Sequence, residues 1–506
     1  MKLIGMNRLA GLLLAAAIAG GPLAAPAFAQ DAPAPAVAEA EGPSAITAAA
    51  PAVAEAPADA AAPAEEAAAP TPDKGDVAWM LVSTILVLLM IVPGLALFYG
   101  GLVRQKNMLS VLMQVTTVAA IGMIAWLFWG YSLAFTDGGG LNKFVGGLSK
   151  VGLAGVTVGS NVETFSRDVV IPEMVFIAFQ MTFAAITAAL VIGGIVERIK
   201  FGAVVAFAIL WPLLSYYPMA HMVWYWAGAT SGFGMSADDI AGGAGLLWGW
   251  GALDFAGGTV VHINAGIAAL VGAVMLGKRT GYGREAMPPH SLTLTMAGAG
   301  LLWVGWFGFN AGSNLEANGY AALAMINTFV ATAAAGLSWA LTEKLLRGKA
   351  SGLGVASGLV AGLVAVTPAA GFAGPVGAVV LGLVVSPICV IFCSMVKNAL
   401  KYDDSLDAFG IHAVGGIVGA IGTGILVNPA LGGAGVVDFT TGETVYDAGF
   451  QIMAQLKAVS FAVLWSAVAS AIVFGLIKVV FGLRVSPETE EEGLDITAHG
   501  ERAYHA

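Results

Sequence analysis

The chain has 506 residues, of which 58% are hydrophobic and only 11% charged, with a mean hydropathy of +0.83. Soluble domains carry about a quarter charged residues, so a water-soluble globular enzyme is excluded at the outset. The formal net charge of −10 provides no basic face for nucleic acid, which is not expected as a partner.

Lys2 and Arg8 precede an apolar run, LAGLLLAAAIAG, and Ala27-Phe28-Ala29 precedes Gln30. A basic start, a short apolar stretch and a small-x-small site predict a signal peptide over residues 1–29. Residues 30–75 are rich in Ala and Pro, with nothing to bury against their ordering entropy. They read as a disordered spacer.

Residues 76–483 form a membrane domain, followed by a tail over 484–506. Apolar runs long enough to cross about 30 Å of hydrocarbon occupy 77–100, 109–134, 171–196, 202–224, 251–277, 290–312, 318–342, 353–370, 374–396, 411–429 and 451–482. The odd connections carry Arg104, Lys106, Arg198, Lys200, Lys278, Arg279, Arg284, Lys344, Arg347, Lys349, Lys397 and Lys401, whereas Lys143, Lys150 and Arg167 share one long even connection. The positive-inside rule then places the mature N-terminus outside and the tail in the cytoplasm. With the signal peptide, this reads as a multi-pass protein of the cell inner membrane. Cys389 and Cys393, four apart in an apolar run, read as packing residues and offer no disulfide framework.

The array repeats. Gly94-x3-Phe98-x2-Gly101 in helix 1 matches Gly305-x3-Phe309-x2-Gly312 in helix 6, and Asp254-x7-His262-x3-Gly266 matches Asp404-x7-His412-x3-Gly416. Both pairs lie five helices apart. Because five is odd, the halves enter the membrane in opposite senses, which places a solute site near the midplane. The fold class is therefore an all-α integral membrane protein of eleven transmembrane helices, an inverted 5+5 repeat plus one extra C-terminal helix.

Ionisable groups deep in a span cost about 2.5–3.5 kcal/mol each on insertion scales, so each is a functional candidate. His262 and His412 approach from opposite halves, and two neutral imidazoles suit a small, neutral, hydrogen-bonding solute; two separately satisfied core histidines are the alternative. Asp254 reads equally as a helix cap and as a group that attracts a cation. Phe183, Trp224 and Phe309, placed near span ends, fit an interfacial belt or a cation site.

The runs PGLALFYGGLVRQKN (93–107), GALDFAGGTVVHINAG (251–266), WVGWFGFNAGS (303–313), GLVAVTPAAGF (362–372) and FGIHAVGGIVGAIGTG (409–424) resemble the ammonium transporter family (Amt/Mep/Rh), bacterial Amt type. The resemblance implies a homotrimer, with one pore per subunit, that moves ammonium or ammonia. It implies an outer recruitment site of Phe183, Trp224, Ser313 and Asp254, a gate of Phe183 and Phe309, and a pore lined by His262 and His412, with Thr259 as a neighbour. It implies neither catalysis nor a cofactor. Residues 225–250 are longer than the family needs, so Trp226, Trp248 or Trp250 is an alternative to Trp224 as the outer wall. The tail, with GLD, HGE and AY, resembles those regulated by PII signal proteins, and lipids are the remaining partner. Two rival readings are an ammonium sensor linked to PII signalling and a membrane metalloenzyme using His221, His262 and His412.

Overall fold

The computed structural model describes residues 70–504. The expected signal peptide and all but the end of the spacer lie outside the described residues. Among the described residues, eleven helices are long and apolar enough to span a membrane: α1 Lys74–Leu102, α2 Gln105–Phe135, α3 Glu173–Ile195, α4 Phe201–Trp224, α5 Gly258–Leu276, α6 Leu292–Gly312, α7 Gly319–Arg347, α8 Gly352–Ala369, α9 Pro375–Leu400, α10 Phe409–Leu426 and α11 Ala448–Val480. The starts are set by local chemistry. Asp73, Ser291, Asn318, Ser351 and Asp447 each accept backbone N–H groups of the first turn, which satisfies donors that a helix leaves open.

Packing follows the repeat. The helix pairs α1–α3, α2–α3, α2–α4 and α3–α5 recur five helices later as α6–α8, α7–α8, α7–α9 and α8–α10, while α1 packs on α6 and α5 on α10. Helix α11 lies outside this relation, against α5 and α10. Small residues permit the closest approaches, as expected where hydrophobic drive between helices is weak. A methyl group on Gly308 of α6 would lie 2.6 Å from the Ser83 carbonyl oxygen of α1.

The two ends differ. At the basic end, Glu197 accepts from Arg104 Nε (3.0 Å) and Arg279 Nη1 (2.6 Å), and Arg279 Nη2 reaches Asp403 at 2.8 Å, so four interhelical connections are clasped by one buried ion network. Burial raises the Glu197 carboxyl, but Arg279 and Arg104 outweigh it and hold it down to about 2. Two short tail helices, α12 Pro487–Glu492 and α13 Leu494–His499, dock on this end. Glu490 accepts from Thr280 N, Asn107 Oδ1 accepts from Leu494 N, and Asp495 accepts from Ser110 N. The opposite end carries the long connections, including the antiparallel hairpins β1 Asn161–Glu163 with β2 Val170–Pro172 and β3 Val436–Val437 with β4 Thr444–Val445.

Candidate functional site

Between the long connections a cavity of about 530 Å³ descends into the bundle. Phe183, Trp224, Ser313 and Asp254 all line it. Phe183 is buried at the middle of α3, ten residues and so about 15 Å along the helix from Glu173, rather than near a span end. The vestibule floor therefore lies deep. Trp224, the last residue of α4, meets the Phe183 ring edge-on at 6.0 Å, and its Nε1 donates to the Asp254 carbonyl at 2.9 Å. Ser313 Oγ donates to Phe309 O at 2.8 Å. Of the alternatives to Trp224, Trp226 and Trp248 line the outer part of the cavity. Trp250 faces elsewhere, edge-on to Phe461 with Lys457 over its ring.

Phe183 and Phe309 form the floor, stacked at 4.2 Å and 17°. Beneath them the His262 ring lies 6.0 Å from Phe309 and stacks on Trp306 at 5.3 Å. His412 follows at 5.4 Å, nearly parallel, with the two Nδ1 atoms 3.3 Å apart. Between two neutral rings that contact holds one proton, so the remaining Nε2 atoms are one donor and one acceptor. His262 Nε2 has no hydrogen-bond partner among the described residues. His221 is remote from this pair, its ring nitrogens facing Ala134 O and Asn142 O. No group of three or more His, Cys, Asp or Glu side chains among the described residues could hold a metal ion.

The repeated Asp-x7-His-x3-Gly pattern explains how the histidines meet. Asp254 is not part of α5, which begins at Gly258 rather than at 251, because the chain breaks at Gly251 and Gly257, whose φ values are +79° and +111°. The turn aims four N–H groups at one carboxylate. Gly257 and Gly258 donate to Oδ1, and Thr259 and Val260 to Oδ2, at 2.6–3.0 Å. Asp404 does the same before α10, accepting from Ala408 and Phe409. Each histidine then sits in a π-helical turn, over Gly258–Ile263 and Phe409–Ala413, a wide turn common at functional positions. Finally Gly266 meets Ala413, where an added Cβ would lie 2.7 Å from that residue's Cβ, and Gly416 meets Gly258 O at 2.9 Å on the same construction. The crossing of α5 and α10 is therefore close enough for ring contact.

Three residues were given no role by the sequence reading. Gln180 lines the vestibule one turn before Phe183, with Oε1 buried and unpartnered among the described residues; a polar side chain in an apolar helix was the available signal. Trp306 backs His262 and is fixed by its Nε1 donating to Thr367 Oγ1 at 2.8 Å. Asp404 was visible only as a partner in the repeat.

An inverted repeat around a narrow aromatic and histidine column is the architecture of a membrane transport protein. A sequence model of the Ammonium Transporter Family matches residues 78–504, and the chain belongs to that family. It is 45% identical over 433 residues to an ammonium transporter of Aquifex aeolicus, covering 86% of this chain and 94% of the relative. It is 41% identical over 430 residues to one of Bacillus subtilis, covering 85% and 98%. Among solved structures, Saccharomyces cerevisiae Mep2 superposes with a TM-score of 0.71 at 32% identity, covering 82% of this chain and 88% of that one. A structure titled Sensor Amt Protein gives 0.72 at 26%, covering 84% and 98%.

Proposed function

We propose that this ammonium transporter family protein gathers ammonium at the vestibule, where the ion gives up its proton to vestibule water, and passes ammonia along the His262–His412 pair toward the basic end while a proton follows by a separate polar route. In this reading Trp224, Phe183, Ser313 and Asp254 recruit the ion, and Phe183 with Phe309 gates the entry. The observation that carries it is the histidine pair, 3.3 Å apart at Nδ1 and directly below a stacked phenyl floor. A bare cation there would lose its hydration to a few weak dipoles, a cost of many kcal/mol, whereas ammonia finds one donor and one acceptor. Potassium has a similar size but no proton to lose, so the same floor rejects it.

Asp254 acts chiefly through its backbone. With four N–H donors on the carboxylate, it fixes the turn that points its own carbonyl at Trp224 Nε1. The vestibule end faces outside and the basic end the cytoplasm, by the charge rule, in a homotrimer of the inner membrane. The tail docks a PII-type protein. Changing His262 to Ala abolishes ammonium flux in proteoliposomes while the protein still purifies folded; full flux in a folded H262A protein would remove the pore assignment. The sensor reading is second, supported by likeness to the structure titled Sensor Amt Protein, and wild-type flux decides between them.

A further inference from the structure

The vestibule is far larger than the ion assigned to it. Its volume of about 530 Å³ is that of a small-organic-ligand pocket, whereas an ammonium ion occupies about the 30 Å³ of a water molecule. Glu163, Asp254 and Glu316 line it, and its lining contains no Lys, Arg or His among the described residues. The aromatic walls stand in two tiers. The inner tier is Phe183 with Trp224. The outer tier is Trp226, stacked on Trp248 at 5.2 Å and 14° and tilted against Phe439 at 4.3 Å.

The tiers follow one another along the chain. Trp224 and Trp226, separated by Tyr225 with its extended backbone (φ −85°, ψ 125°), both line the same cavity. The outer tier is also held in place. Glu163 accepts from the backbone N–H groups of Thr230 and Ser231 at 2.8 and 3.1 Å, which ties the loop after Trp226 to the β1 strand. Below, the Phe183–Phe309 stack closes the floor.

We propose that Trp226, Trp248 and Phe439 form a second subsite that takes the hydrocarbon body of an organic primary ammonium ion while its charged head sits in the inner tier. A primary ammonium offers N–H donors that the Ser313 hydroxyl accepts, and its charge suits the aromatic faces and the carboxylates. Such an ion enters from the vestibule end and stops on the phenyl floor, so it blocks rather than passes. This rests on the reading of the inner tier as an ammonium site.

The probe is 2-phenylethylammonium, with methylammonium as the head-only control, each competing against ammonium-driven current in proteoliposomes of the full chain. In wild type, 2-phenylethylammonium blocks at a lower concentration than methylammonium competes and carries no current of its own. In a W226L/W248L protein ammonium current persists, methylammonium competition is unchanged, and the phenyl compound weakens about tenfold. If that double variant does not fold, F439L is read in the same way. Equal block by the phenyl compound in wild type and variant, no advantage over methylammonium in wild type, or current carried by the phenyl compound overturns the subsite alone. Failure of methylammonium to compete in wild type overturns the inner-tier reading, and the subsite with it.

Discussion

At the scale of single residues, the vestibule pairs stacked rings with a few unspent polar atoms. Gln180 Oε1 is buried without a partner among the described residues, and a buried unsatisfied acceptor costs about 1–3 kcal/mol. On the proposed reading, a rotation of the Gln180 amide toward the vestibule lets an ammonium N–H recover part of that cost and adds to affinity. Gln180→Leu is therefore expected to raise the ammonium concentration for half-maximal current several-fold while leaving maximal current near wild type. An unchanged half-saturation in folded Q180L protein would assign the residue to packing. The histidines were legible because ionisable groups stand out in apolar spans. Gln180 was harder to read because an uncharged amide has a weaker signal, and its unpartnered oxygen is a property of the folded surroundings.

At the scale of elements, hydropathy and charge located the eleven spans, because twenty apolar residues in a row have few other destinations. The largest difference in a span boundary is at the start of α5. Residues 251–257 are as apolar and glycine-rich as the helix that follows, so composition joined them to α5; the positive φ values at Gly251 and Gly257 separate them. The clasp at the basic end was likewise only half visible. Arg104, Arg198 and Arg279 were read as orientation signals, yet Arg104 and Arg279 converge on Glu197. Removing one partner of a buried pair costs about 3–5 kcal/mol. Glu197→Gln is expected to lower the thermal midpoint in detergent by several degrees, and no shift would show that the network adds nothing to stability. The pH dependence follows the same group. A carboxyl lowered from its ordinary 4.5 to about 2 stabilises the fold above pH 4.5, and the stabilisation fades as pH falls toward 2. E197Q protein should therefore lose less stability than wild type over that range.

At the scale of the whole molecule, the two ends are chemically distinct and joined by one narrow column. The tail is part of the basic end through Leu494, Asp495 and Glu490, so the PII-type partner proposed above would meet both tail and interhelical connections. Deleting the residues after Arg484 is expected to abolish capture of a PII protein, and persistent capture would place the contact in the connections alone. The outer vestibule was the least legible region in the sequence, since Trp226, Trp248 and Phe439 come from two loops without periodicity and meet only in the fold. On the proposed mechanism, the column admits the ion only after it has lost its proton. Charge movement in proteoliposomes of the purified protein tests it most directly, with an ammonium jump and a potassium jump on the same sample. Ammonium should give a response, as a transient current or a shift of lumenal pH, and potassium none. A potassium current comparable to the ammonium current would contradict it.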